Sequence, residues 1–405
     1  MNIEELGVSS SLLTAIKNLG IERPTQIQEL SIPSIISGRD VIGESATGSG
    51  KTLAFGSGII ENTVPRRGLQ ALILAPTREL AEQVKSNLVQ LSANLKIIAV
   101  YGGVSINPQI RDLQRADVVV ATPGRLLDHL ERRTVNLSGL KILVLDEVDR
   151  MLDMGFIESV EKVIRASPKN RQTLFFSATI PPQIQELTKR YMNNPMKFTA
   201  KKLVDEKYLK QAYYDVERNE KLSLLCHLLN QKQGMSMVFC NTRRSVDFVV
   251  RNLRANSIQA IAIHGGLSQN KRTRTMEIFN GGKAMALVCT DVAARGLHID
   301  NVEFIYNYEM PRDPKDYIHR IGRTARAGES GTAINLVSSS DHESFSRIMA
   351  EYRTFSIEKG QRPAVRKIFT VREQPRNESF GKRPFRQHRA GQGYPRRYSG
   401  YSGRR

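Results

Sequence analysis

Lys51 and Thr52 end the stretch ESATGSGKT, residues 44–52, which follows an apolar run and opens a helical pattern. Gly48 and Gly50 permit a tight turn that aims backbone N–H groups at an anion. The start of the helix adds a positive field. A lysine and a hydroxyl at the end of such a turn suit a polyphosphate and its cation. Lys51 would reach the β- and γ-phosphates, and the Thr52 hydroxyl would ligate Mg²⁺. Thr47 and Ser49 complete the cradle, and Ser45 stands where the first glycine of this pattern is usual. The competing reading is a Gly/Ser turn before a helix; the GKT ending in this context speaks for phosphate.

A second group lies in KILVLDEVDR, residues 141–150. Four apolar residues, Ile142 to Leu145, run straight into Asp146 and Glu147, and Asp149 follows. Burying carboxylates is costly unless a cation, a basic side chain or water compensates. Beside a phosphate loop, Asp146 is expected to hold Mg²⁺ through water and Glu147 to orient an attacking water. The plainer alternative is a solvated strand end with Asp149 as a helix cap.

These groups need a scaffold. The chain has 405 residues, of which 40% are hydrophobic, enough for two or three domains. Apolar strands alternate with amphipathic stretches: DVIGE (40–44), ALILAP (71–76), KIIAVYG (96–102), DVVVAT (117–122), KILVLDE (141–147) and TLFFSAT (173–179). The rhythm pauses at the polar NNPMKFTAKKLVDEK and restarts with SMVFCNT (236–242), QAIAIHG (259–265), MALVCTD (285–291), EFIYNYE (303–309) and TAINLVS (332–338). Strands separated by helices predict mostly parallel sheets covered on both faces. The expected division is an α/β domain over 1–200, a linker at 201–206, a second α/β domain over 207–360, and a tail over 361–405.

The formal charge is +20, which suits a polyanionic partner. Residues 361–405 concentrate it, with 13 Lys or Arg against two Glu, six aromatics and no apolar periodicity. Such a segment is expected to be disordered and to tether RNA through Arg–phosphate pairing and base stacking. A solubilising tail is the alternative. No apolar run reaches the ~18 residues of a membrane span, and the first 20 residues lack a signal-peptide pattern. Three dispersed cysteines form no metal-binding or disulfide pattern, so a reducing, cytoplasmic setting is expected.

ATGSGKT, PTREL (76–80), TPGR (122–125), DEVD (146–149), SAT (177–179) and HRIGRTAR (319–326) occur in the order found in DEAD-box RNA helicases. GIERPTQIQ (20–28) resembles that family's Q motif. The resemblance covers about residues 1–345. It implies two tandem RecA-like domains and an ATP-dependent, RNA-stimulated helicase that separates short duplexes locally, without processivity, and remodels RNA–protein complexes. It implies ATP and Mg²⁺ as cofactors and a monomeric core. Gln28 would read adenine, and Asp291 would touch both ligands. Asp149, Ser177, Thr179 and His319 would couple the ATP site to RNA. Arg323 and Arg326 would reach the γ-phosphate from the second domain. RNA backbone contacts would come from Arg78, Gly103, Thr122 and Arg125, and from Thr242, Gly265, Gln269, Arg272 and Arg295.

The chain departs from the family pattern at several places. Val148 replaces the alanine of DEAD. Ile3 and Ile21 stand where aromatics often pack on adenine, which implies looser adenine selection. His298 replaces the Asp of ARGxD. Ala325 stands where Gly is common and is expected to stiffen a helix. An ATP-gated RNA clamp or annealing chaperone and a DNA translocase are the competing functions. The intact DEVD, SAT and arginine pair argue against a dead enzyme, and TPGR with the Q motif against DNA.

Overall fold

The computed structural model describes residues 2–46, 48–200, 209–231, 234–294, 299, 302–325 and 330–371. The first half supplies β1 (Val41–Glu44), β2 (Ala71–Leu74), β3 (Ile97–Val100), β4 (Val118–Ala121), β5 (Ile142–Asp146), β6 (Gln172–Ser177) and β7 (Met196–Thr199). The second supplies β8 (Leu209–Asp215), β9 (Ser236–Phe239), β10 (Ala260–Ile263), β11 (Ala286–Cys289), β12 (Phe304–Asn307), β13 (Gly331–Val337) and β14 (Ile357–Lys359). Among the described residues these form two seven-stranded sheets, ordered 3-4-2-5-6-1-7 and 10-11-9-12-13-8-14. Adding seven to every strand of the first order gives the second. The sheets are therefore the same unit used twice, with parallel pairing throughout.

Side chains alternate across each strand, and both faces are covered. Ala71 and Ile73 enter one apolar cluster of the first half, Leu72 and Leu74 the other. In the second half Met237 and Phe239 face one cluster, Val238 and Cys240 the other. This double burial is why the strands read as unbroken apolar runs. It leaves functional groups only at the strand ends, in the turns that lead into helices.

Three strands escaped the sequence reading. β7 is largely exposed and carries no apolar run, so MKFT reads as a connector. β8 mixes polar and aromatic residues, and β14 is a three-residue edge strand, IEK, with two charged residues. The expected linker, 201–206, lies outside the described residues.

The composition of 361–405 predicted an unpacked segment throughout. Residues 361–371 instead run against the second half. Val365 and Ile368 join its apolar cluster. The Asn252 side-chain amide brackets Val371, accepting from its N–H at 2.6 Å and donating to its carbonyl at 3.3 Å. Asn256 donates to the Phe369 carbonyl at 3.0 Å. Two half-buried apolar residues and the side-chain amides of Asn252 and Asn256 hold a segment whose net composition is polar. Residues 372–405 lie outside the described residues.

Candidate functional site: a nucleotide cavity shared by two sheets

The phosphate loop joins β1 to the helix Lys51–Asn62. Gly48 and Gly50 adopt φ of 83° and 84°, a left-handed conformation that disfavours a side chain. At Gly50 a Cβ would also lie 2.2 Å from Gln28 Nε2. Ser45 replaces the missing glycine by closing the loop through its hydroxyl, 2.8 Å from that of Ser49. Lys51 is buried, and its ammonium donates to the Ser45 carbonyl at 3.0 Å.

The Q-motif stretch braces this loop from behind. Thr25 and Gln28 form a capping box at the start of the helix Gln26–Ile36. Gln28 accepts from Thr25 N–H and donates to the Gly50 carbonyl, both at 2.9 Å. The Thr25 hydroxyl donates to the Ser49 carbonyl at 2.7 Å. Any group that pulls on Gln28 therefore pulls on the phosphate loop. Ile21 lines the cavity beside Gln28, and Leu19, which the sequence reading missed, joins it. Ile3 belongs to the core at 3% exposure, not to this cavity, so its assignment as an adenine neighbour is corrected.

Asp146 ends β5, buried, and its Oδ1 has no hydrogen-bond partner among the described residues. Burial pushes its pKa up to about 7, against the pull of Lys51. Glu147 follows with φ 53° and ψ 52°, a conformation rare outside glycine and frequent at functional sites. Burial alone would raise the Glu147 carboxyl. Four cations, Arg150 first, then Lys51, Arg323 and His319, hold it below the usual carboxylate range. Arg150 donates directly to Glu147. That partner sits one helical turn away and was not singled out from sequence.

Asp149 connects DEVD to SAT. Its backbone N–H donates to the Ser177 hydroxyl at 3.1 Å. Its carboxylate accepts from the Thr179 N–H at 2.9 Å and hydroxyl at 3.1 Å. These bonds tie the two segments together.

Arg323 comes from the other sheet. It follows the helix Pro314–Ile321, is buried to 5% exposure, and lines the same cavity as Gln28, Lys51, Thr52, Asp146 and Glu147. The cavity encloses about 370 Å³. His319 acts on Glu147 across the same gap. Asp291 is held in a bidentate pair by Arg320, at 2.6 and 2.7 Å. Arg320 is 1% exposed and also donates to Asn241, Asn307 and the Glu309 carbonyl. It is the keystone of the second half, and sequence reasoning missed it because its partners are 11 to 79 residues away. Thr47, Arg295, His298 and Arg326 lie outside the described residues.

Ala325 corrects one expectation. The helix ends at Ile321, and Ala325 has φ 54°, so it sits in a left-handed turn and stiffens no helix.

The described residues assigned to RNA line none of this cavity. Arg78 lies over Gly103, where a Cβ would be 2.0 Å from its Nη1. Thr122 stands at the N-cap position of the helix Pro123–Glu131, without a side-chain capping bond. Arg125 spends its donors within the protein, on the Val104 carbonyl at 3.0 Å and Gln109 at 3.3 Å, and so braces the loop after Gly103. Thr242, Gly265 and Gln269 stand at the ends of β9 and β10 or at the following helix starts. Arg272 reaches the first half, with its guanidinium 3.1 Å from Glu79 of PTREL and both side chains mostly buried. That ion pair is a second bridge between the halves.

Two parallel sheets of one topology, a phosphate loop and an arginine from the opposite half define a tandem RecA-like nucleotide-binding protein. Residues 25–187 match the family model described as DEAD/DEAH box helicase. Residues 220–328 match the Helicase conserved C-terminal domain. The ATP-dependent RNA helicase CshA of Limosilactobacillus reuteri is 45% identical over 344 residues, 83% of this chain and 69% of the relative. The DEAD-box ATP-dependent RNA helicase CshA of Geobacillus kaustophilus is 40% identical over 398 residues, 94% and 85% respectively. Saccharomyces cerevisiae Dbp5 bound to RNA and ADP BeF3 superposes with a TM-score of 0.80 at 31% identity, over 88% of this chain and 95% of that one. A DEAD box protein from Methanococcus jannaschii is 41% identical, yet its TM-score is 0.56 over 89% and 99%. The chain belongs to the DEAD-box helicase family.

Proposed function

We propose that this chain is an ATP-dependent RNA helicase whose ATP hydrolysis depends on closure of its two halves. The observation that carries the reading is Arg323, which enters from the second sheet the cavity that Lys51, Asp146 and Glu147 line from the first. An arginine delivered across a gap ties transition-state stabilisation to closure. Greater similarity to ligand-bound Dbp5 than to the more identical Methanococcus protein fits a closed arrangement.

In this reading the Gly48–Lys51 backbone and the Lys51 ammonium hold the β- and γ-phosphates. Gln28 and Ile21 face the base. The partnerless, buried Asp146 oxygen fits a divalent cation, and Asp146 and Thr52 would hold Mg²⁺, which would neutralise phosphate charge. Glu147 orients water toward the γ-phosphorus, and the P–O bond to ADP breaks with its electron pair on ADP. Arg323, with Arg326, balances the charge that develops. Asp149, Ser177 and Thr179 relay the state of the site toward the RNA-facing turns.

RNA lies along Arg78, Gly103 and Thr122 in one half and Thr242, Gly265 and Gln269 in the other. Backbone contacts of this kind carry little base information. Closure bends one strand and disfavours its pairing. Residues 372–405, rich in Arg and aromatics, add a sequence-tolerant tether. No helix among the described residues is long and apolar enough to cross a membrane, and the three cysteines are buried and unpaired. These fit work in the cytoplasm.

The test is phosphate release from ATP with and without an RNA oligonucleotide, a deoxy oligonucleotide of the same sequence, and a short RNA duplex. RNA-stimulated turnover with strand release is expected. Equal stimulation by the deoxy strand, or stimulation without strand release, would refute the helicase reading.

A further inference from the structure

Two arginines of this chain are buried beside acids, and they spend their donors differently. Arg320 completes its bonds, on Asp291, Asn307, Asn241 and the Glu309 carbonyl. Arg150 does not. It is 3% exposed, its Nη1 donates to a single acid, Glu147 Oε2, and its Nη2 has no partner among the described residues. An unpaired donor of a buried cation costs stability. Holding the fold together is therefore a poor account of this side chain.

The backbone that carries Arg150 is firmly placed. Its helix, Val148–Asp153, is bolted to the first half's core by Val148 and Met151, both 0% exposed. The Arg150 N–H donates to Asp149 Oδ1 at 2.9 Å. The other oxygen of that carboxylate takes the N–H and hydroxyl of Thr179. Arg150 thus starts from the same acid that holds the SAT segment.

Glu147 needs such a fixed point. A glutamate swings on several side-chain torsions, and rotamer freedom works against a single orientation. Glu147 lines the nucleotide cavity, whereas Arg150 does not. The guanidinium therefore takes one carboxylate oxygen from outside the cavity. Gripping Oε2 limits the swing of the whole carboxylate, and with it the direction in which Glu147 can receive a water proton. Orientation errors of about 1 Å at a reacting group cost on the order of 10²-fold in rate.

We propose that Arg150 is a positioning residue for hydrolysis, which sets the Glu147 carboxylate at the angle that orients the attacking water. It touches neither nucleotide nor water and acts only through Glu147. The nucleotide itself is held by other groups, so binding is independent of Arg150.

The inference rests on the hydrolytic role given to Glu147 above, and the experiment separates the two. Phosphate release at saturating ATP, the KM for ATP and the affinity for a fluorescent ADP are measured with and without an RNA oligonucleotide. The proteins are the full chain as wild type, R150Q, R150K, E147Q and R150Q/E147Q, with unfolding temperatures recorded. R150Q is expected to lose roughly 10²-fold in kcat, with KM and ADP affinity within about twofold of wild type. R150K keeps a cation but not the planar fork, and its kcat is expected between those of wild type and R150Q. In the E147Q background R150Q should cost no more than about twofold, because groups that act through one another are not additive. A kcat for R150Q equal to wild type overturns the proposal. So does an equal loss in both backgrounds, or a loss of ADP affinity that parallels kcat, since each marks a structural role. Where R150Q does not fold, R150K carries the test, and a kcat equal to wild type overturns the proposal. If E147Q turns over like wild type, the role of Glu147 falls, and the positioning role falls with it.

Discussion

The two halves share one strand order and differ most at the end of their first strands. After β1 comes a glycine-rich loop and then Lys51, the first residue of its helix. After β8 comes VERNE and then Lys221, the first residue of the helix Lys221–Gln231. Lys51 faces a cavity and a carboxylate with a partnerless oxygen. Lys221 faces no such space. Its ammonium donates to Asp341 at 2.6 Å and to the Tyr308 carbonyl at 2.7 Å, with 4% of its side chain exposed. Tyr308 follows β12 where Asp146 ends β5, and its ring centroid lies 5.6 Å from the Lys221 ammonium. One lysine position is left electrostatically incomplete and the other is completed from within. The comparison shows how one scaffold becomes an enzyme site or a structural joint. What decides is whether the protein supplies the counter-charge or leaves it to a ligand.

Removing the arginine that joins the halves should have the largest effect. R323A should reduce RNA-stimulated phosphate release on the order of 10³-fold, as for other arginines supplied across an interface, while nucleotide binding to the first half persists. Turnover within tenfold of wild type would show that the first half completes its own site.

The two lysines should then separate stability from turnover. K221M strands Asp341 in a buried position and should cost roughly 3–5 kcal/mol in urea unfolding, with K221M/D341L recovering much of it. K51M should abolish turnover while leaving unfolding within about 1 kcal/mol of wild type. Similar unfolding for the two single variants would erase the distinction drawn here.

A smaller effect should appear in the pH dependence of the ligand-free protein. The Asp146 pKa stands at about 7 in the folded state against an ordinary value of 3.8. Ionising a carboxyl whose folded pKa is raised costs stability, and that cost grows as pH rises from about 4 through 7. D146N removes the charge. It should therefore raise the melting temperature more at pH 8 than at pH 5, by a few degrees on the order expected for a chain of this size. Equal gains at both pH values would mean that Asp146 is compensated without a ligand. The smallest effect should come from A325G. It relieves a left-handed alanine, worth about 1 kcal/mol, but loosens the unfolded chain, so a net gain near 0.5 kcal/mol is expected by urea unfolding. A net loss would show that Ala325 is unstrained.

The eleven strands read from the sequence are those buried on both faces, because double burial leaves an apolar run that no other element of that length shows. The edge strands β7 and β14 were illegible for the converse reason: little of them is buried. Lys51, Thr52, Asp146 and Glu147 were legible because each stands where a strand hands over to a helix, and the chemistry of that handover is local. Arg150 and Arg320 were not, since a buried arginine on a helix looks like a solvated one until its partners are in place. Ala325 looked helical because the sequence does not mark where the helix before it ends.

The sequence by itself determined the two sheets, the phosphate loop, the carboxylate pair and the excess of positive charge. These depend on residues within a few positions of one another and on the periodicity of burial. Only the tertiary structure decided that Arg323 shares a cavity with Lys51, that Glu79 meets Arg272, and that Lys221 is neutralised by Asp341. Those relations join groups dozens to hundreds of residues apart. Electrostatic and hydrogen-bond energies fall off over a few ångströms, so they exist only once packing has fixed the distances.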